Sequence, residues 1–153
     1  MKMKEEMLGL CGMNCNICEC YLASAYDVNK QGLRARYCKG CKSRNGKVCG
    51  FVKKCKSLSE HKNRFCYECD TTPCANLQKL DKRYRAFYHM SMIENLEYIK
   101  DNGIEKFLAR EEDKWKCSQC GGVISCHNGI CYGCGVNDLK AVEKVRLWTK
   151  GKK

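Results

Sequence analysis

The sequence predicts a small α+β protein, irregular and metal-stabilised: a cysteine-rich N-terminal region, central helices and a C-terminal zinc ribbon. Three observations carry that expectation. Sixteen of the 153 residues are cysteine, a share found in disulfide scaffolds and in metal proteins. The cysteines fall in blocks, Cys11–Cys20, Cys38–Cys55, Cys66–Cys74 and Cys117–Cys134. Between the last two, residues 75–115 form the one long stretch with the periodicity of ordinary helices. A chain of this length has little room for a large core, so ligated thiols are the natural substitute.

In chain order, a first helix is expected from Ile17 to Lys30, with Tyr21, Leu22 and Ala25 inward. Residues 31–66 are rich in Lys, Gly and Ser and lack lasting periodicity, the pattern of loop. A second helix follows from Leu77, Leu80, Tyr84, Phe87 and Tyr88 at helical spacing, opposite Lys79, Lys82, Arg83 and Arg85. Ser91-Met-Ile-Glu94 is a capping box that opens a third, with Ile93, Leu96 and Ile99 on one face. That helix should stop at Asn102-Gly103. A short fourth runs through Ile104, Phe107 and Leu108 to about Asp113. The resulting segments are a metal-binding region (1–76), a helical region packing on it (77–114), a zinc ribbon (115–136) and a basic tail (137–153).

Compartment decides between metal and disulfide. Met1 to Leu10 carries lysines and glutamates and lacks the apolar centre of a secretory signal. No apolar run reaches the length that spans a bilayer. A cytoplasmic, reducing setting is therefore expected, where structural disulfides are rare, and the thiols are expected to bind metal.

The sharpest signal is Cys117-Ser-Gln-Cys120-Gly and Cys131-Tyr-Gly-Cys134-Gly. Two residues between thiols let both sulfurs reach one ion from a tight turn, and the following glycine lets the backbone approach and donate N–H bonds. Two such knuckles facing each other make a tetrahedral Cys₄ site, and Trp115 stands ready to pack over it. Cys126 and His127 lie between the knuckles. Either could be an alternative ligand; the preferred assignment makes Cys126 a small buried apolar residue and His127 a surface loop residue. Cys38-Lys-Gly-Cys41 and Cys66-Tyr-Glu-Cys69 are further CxxC units, with Cys74 five residues on. Cys49 and Cys55 could complete a set with Cys38 and Cys41, or ligands could cross between blocks. His61 is a possible substitute. Cys11-x₃-Cys15-x₂-Cys18 has the spacing by which radical-SAM enzymes hold three irons of a cluster, but the chain is too short for their barrel. A zinc or structural site is preferred there, with an iron–sulfur cluster as the alternative.

Cys11-Gly-Met-Asn-Cys-Asn-Ile-Cys18, followed by Tyr21 and Ala23, resembles the opening of a family of small cysteine-rich prokaryotic proteins. The likeness continues at Cys38-x-Gly-Cys41 and is strongest at Cys66-Tyr-Glu-Cys69-Asp-Thr-Thr-Pro-Cys74-Ala-Asn-Leu77. That family is known as a domain of unknown function, and its members carry predicted zinc-binding labels. The C-terminal knuckles, with Trp115, Gly121 and His127, resemble its extended members, so the likeness covers about residues 9–80 and 90–135. It implies metal binding and no particular reaction. Cys20 departs from the pattern, and the spacing around Cys49 and Cys55 is irregular.

Charge adds a candidate partner. The formal net charge is +12, and residues 30–64 alone carry twelve basic residues and Glu60, a net +11. With Tyr37, Phe51 and Phe65 interspersed, the segment suits phosphate backbones and stacked bases; another protein is the other candidate partner, and a solvated loop the plain alternative. No membrane partner is expected. Three histidines, no HExxH, no deaminase signature, no phosphate loop and no GxSxG elbow leave little support for an enzyme, apart from a redox role on the first block or at Cys20. The expected cofactor is Zn²⁺, two to four per chain. Each tetrathiolate zinc carries about −2, so three sites would reduce the net charge to about +6.

Overall fold

Helix formation in this chain is decided by caps and by where the backbone turns left-handed. The computed structural model describes residues 1–40, 54–55 and 65–144, with backbone only for 142–144. Cys41, Cys49, His61 and most of the basic segment lie outside the described residues. Five helices are described: α1 (Glu19–Ala25), α2 (Ala75–Phe87), α3 (Met92–Asn102), α4 (Ile104–Lys114) and α5 (Val136–Lys144). Single 3₁₀ turns lie at Glu5–Met7, Cys15–Ile17, Val28–Gln31 and Cys66–Glu68. None of the described helices is long and apolar enough to cross a membrane.

The α+β expectation is corrected: the described chain is mostly helical. Among the described residues, extended pairing is limited to three isolated antiparallel bridges, Leu8 with Asn14, Lys116 with Val123 and Ile124 with Cys131. Turns at Gly121 and Gly129, with φ of +74° and +71°, reverse the chain within the second and third of these short pairings.

The expected helix from Ile17 to Lys30 breaks after Ala25. Asp27 adopts φ +47°, tolerable for Asp because its side chain bonds locally: it pairs with Lys30 at 2.7 Å and accepts the Tyr37 hydroxyl at 2.7 Å. Leu22 and Ala23 are buried, whereas Ala25, expected inward, is exposed. In α2 the inward stripe is Leu77, Asp81, Tyr84 and Tyr88, while Phe87 is exposed. The stripe tilts because Asp81 serves the next helix. Its Oδ1 accepts from Ser91 Oγ (2.6 Å) and from the Ile93 N–H (3.1 Å), and its Oδ2 meets Arg85 Nε at 2.7 Å. Ser91 Oγ in turn accepts the Glu94 N–H at 3.1 Å, the N-cap that the sequence predicts. Gly103, with φ +87°, ends α3 as expected, and α4 begins at the next residue.

One apolar core joins all of these pieces, from Leu8, Ile17 and Leu22 through Leu77, Leu96 and Phe107 to Trp115, Val123 and Tyr132. Burying each large side chain of this kind contributes roughly 1.5–3 kcal/mol. Close approach of the N-terminal loop to α3 requires Gly12. A Cβ there would stand 2.4 Å from the Met92 carbonyl oxygen and 2.8 Å from Leu96 Cγ. Beside it, Asn95 Nδ2 donates to the Gly12 carbonyl at 2.9 Å. The core also takes in Leu139 of α5, which begins where the sequence suggested a basic tail.

Candidate metal centre

The knuckles are built by backbone hydrogen bonds that act before any ion is considered. Cys117 N–H donates to the Gly122 carbonyl, Gly121 N–H to the Cys117 carbonyl and Gly135 N–H to the Cys131 carbonyl, each at 2.8 Å. The bridges Lys116–Val123 and Ile124–Cys131 hold the two turns side by side. The sulfurs of Cys117, Cys120, Cys131 and Cys134 thereby all lie within 4.8 Å of one another, and this group could hold a metal ion. Cys117 and Cys134 are 3.8 Å apart and Cys120 and Cys131 3.5 Å. Two of the sulfur-bearing residues, Cys117 and Cys131, are buried, and the other two are exposed.

The expected glycine-to-sulfur contacts come from other glycines than the ones that end the motifs. Gly122 N–H points at Cys120 Sγ and Gly133 N–H at Cys131 Sγ, both at 3.3 Å. Gly135 instead makes room: a Cβ there would sit 2.5 Å from the Cys131 carbonyl oxygen. Backbone N–H groups of Cys120 and Gln119 bring the Cys117 thiol down to about 7. Hydrogen bonding with the neighbouring thiols Cys120, Cys117 and Cys131 pushes Cys134 up to about 12. Cys117 is thus favoured as an anion, while Cys131, through burial, and Cys134 are held toward the thiol form.

Around this group the structure ties the knuckles to the rest of the chain. The Trp115 indole N–H donates to Glu111 Oε2 at 3.0 Å, and the same oxygen accepts from Asn14 Nδ2 at 3.2 Å. Asn14 in turn accepts from the Asn16 backbone and side chain, at 3.1 and 3.0 Å. These wholly buried polar residues, Asn14, Asn16 and Glu111, were not singled out from sequence. Two asparagines spaced among three cysteines were the available hint.

His127 is not the surface loop residue that the sequence suggested. Its Nδ1 accepts the Glu19 N–H (3.3 Å), its Nε2 meets the Tyr84 hydroxyl (3.1 Å), and its ring packs against Tyr88 with centroids 4.8 Å apart. Burial, helped by the nearby Arg83 charge, lowers its pKa to about 4. Cys126 is the buried residue anticipated; burial raises its thiol pKa.

The other sequence-derived ligands are distributed differently. Cys11 and Cys66 are buried; Cys15, Cys18, Cys38, Cys55, Cys69 and Cys74 are half-buried. Among the described residues, no disulfide is formed, and no second set of three ligand atoms converges as the knuckle sulfurs do. Cys11, Cys15 and Cys18 are therefore not gathered as a cluster-binding triplet. Cys55 lies near Cys66, whose pKa is raised to about 12 by burial and by the charges of Cys55, Cys74 and Cys69. Of the aromatics counted with the basic segment, Phe65 is buried and stacked on Tyr67, and Tyr37 is bonded to Asp27. Phe51 lies outside the described residues.

With this geometry in hand, the chain can be placed by class as a cysteine-rich, mostly helical protein with a Cys₄ group able to hold a metal. Its residues 7–79 match the model of a family described as "Protein of unknown function (DUF3795)". The likeness seen in the first three cysteine blocks lies within that match, and the knuckle region lies beyond it. No curated protein and no solved structure matches the chain.

Proposed function

We propose that the four knuckle thiols hold one structural Zn²⁺ as a zinc ribbon, and that the metallated chain is a binding module that offers its basic segment to a polyanion. The metal half is carried by the convergence of the four sulfurs. Tetrahedral zinc with bonds of about 2.3 Å to sulfur sets the sulfurs about 3.8 Å apart. Separations of 3.8 and 3.5 Å are already of that size. Four protein thiolates fill the coordination sphere, the pattern of structural rather than catalytic zinc, and soft thiolates disfavour magnesium, calcium and manganese. Such a site stabilises the fold directly, because the unfolded chain holds no preformed ligand set.

The binding half rests on charge. With Phe65 in the core and Tyr37 engaged, base stacking loses two of its three candidate platforms. Phosphate contact by the +11 segment remains, and it implies weak sequence preference and steep salt dependence. Elemental analysis and a visible spectrum of anaerobically purified protein test the first half. Zinc without visible absorbance is expected; a brown, iron-containing chain would replace zinc with a cluster. Binding to short RNA and DNA should appear at low salt and fade as salt rises; no binding at low ionic strength would remove the second half.

A further inference from the structure

The end of α2, the start of α3 and the last turns of α4 surround a cavity of about 330 Å³ that opens to solvent, a size suited to a small ligand. Arg85 reaches it from α2, Glu94 from α3, and Arg110 and Lys114 from α4, while His89 lines it from the turn between α2 and α3. Three cations and one carboxylate thus meet around one space. None of these residues belongs to the knuckles or to the basic segment.

Each cation is anchored and still keeps donors in hand. The Arg110 guanidinium lies over the Tyr98 ring, 3.9 Å from its centroid, and its Nη2 meets Glu111 Oε1 at 3.4 Å. Stacking fixes the plane of the fork without consuming its N–H groups. Arg85 commits Nε to Asp81 (2.7 Å) and Ser91 (3.3 Å), and its Nη2 meets Glu94 at 3.5 Å. Lys114 Nζ donates to the His89 carbonyl at 3.3 Å. His89 itself is left-handed, with φ +52°, a conformation uncommon outside glycine. Among the described residues, Nη1 of Arg85, Nε and Nη1 of Arg110 and two of the Lys114 ammonium protons form no hydrogen bond. Asp81 and Glu111, behind the arginines, are buried and share their charge with neutral donors. Ser91 and the Ile93 N–H serve Asp81, and Trp115 and Asn14 serve Glu111. The two carboxylates therefore hold the guanidinium groups in place and leave the remaining N–H groups to a ligand.

We propose that this cavity binds a phosphate group, inorganic or carried as a monoester on a small molecule. Forked guanidinium donors match phosphate oxygens two at a time, and the ammonium adds a third point of positive charge. A dianion also balances a lining in which three cations face Glu94 alone. Met90, buried beside His89, gives the cavity an apolar wall for the carbon part of a monoester. Glu94 acts as the antagonist: 67% exposed and 3.5 Å from Arg85, it competes with the incoming anion for that guanidinium. The inference stands independently of the zinc and polyanion readings.

The test follows the His89 ring resonances of full-length, zinc-loaded protein during titration with inorganic phosphate and with phenyl phosphate at fixed ionic strength. Both should give a saturable shift at His89, with the His127 ring, packed against Tyr88, as the unmoved internal reference. Lys114→Gln and Arg110→Gln should each weaken the affinity by about tenfold, the loss of a charge-assisted hydrogen bond. Glu94→Gln should strengthen it. Lys106→Gln, at an exposed α4 position outside the cavity, should leave it unchanged. A shift that never saturates, or that persists undiminished in Lys114→Gln, overturns the site. Acetate or dimethyl phosphate binding as tightly as phosphate would overturn its assignment to a phosphate dianion.

Discussion

His127 shows how one residue reports on the junction of three parts of the chain. It accepts from the N-terminus of α1, meets a tyrosine of α2 and belongs to the loop between the knuckles. Because its pKa falls to about 4 in the fold against about 6.5 when unfolded, the unfolded state binds the extra proton first as pH drops. The associated stability is complete above about pH 6.5 and is lost as pH falls through about 4. It amounts to at most about 3 kcal/mol. Urea unfolding of wild type and His127→Phe, at several pH values with metal content held equal, should give a stability difference that shrinks between pH 6.5 and 4. Acid release of thiolates is common to both proteins and cancels. A pH-independent difference would mean that the imidazole is not held neutral.

At the scale of elements, the hinge between α2 and α3 depends on one hydroxyl with two duties. Ser91 Oγ receives the Glu94 N–H and donates to the buried Asp81. Ser91→Ala removes an N-cap, a loss of about 1 kcal/mol, and leaves the carboxylate short of a donor, about 1–3 kcal/mol more. Urea midpoints should therefore move by an amount corresponding to about 2–4 kcal/mol, with metal content unchanged. A shift under 1 kcal/mol would show that Arg85 and the Ile93 N–H together satisfy Asp81. The cap, the glycine stop at Gly103 and the α4 stripe through Phe107 were legible because each depends on residues within a few positions. Asp81 on the inward face of α2 was not, since its reason is ten residues away at Ser91. The knuckles were legible for the same local reason as the cap. The contacts among Asn14, Glu111 and Trp115 were hidden because a buried polar residue is explained only by a distant partner.

For the whole molecule, the family match ends at residue 79, inside α2 (Ala75–Phe87). The core beneath it is completed by Leu96, Phe107, Val123 and Tyr132, all beyond that point. A fragment of residues 1–79 should therefore fail to fold even with zinc, giving poorly dispersed amide resonances, whereas the full chain should give a dispersed spectrum. A well-dispersed fragment would show that the matched segment is self-sufficient. The irregular architecture was legible as a consequence of too little apolar sequence and too many thiols. The scarcity of strands among the described residues was not, because strand pairing depends on partners that meet only in the fold.

The bond from Cys126 N–H to the Ile17 carbonyl, 3.1 Å long, has a consequence in time. During synthesis Ile17 emerges 109 residues before its partner. At about 5–20 residues per second, the N-terminal thiols wait on the order of ten seconds for the segment that covers them. Through that interval Cys11, Cys15 and Cys18 stand without their final packing, open to oxidants and to whichever metal arrives first. The last quarter of the chain acts as a latch on the first.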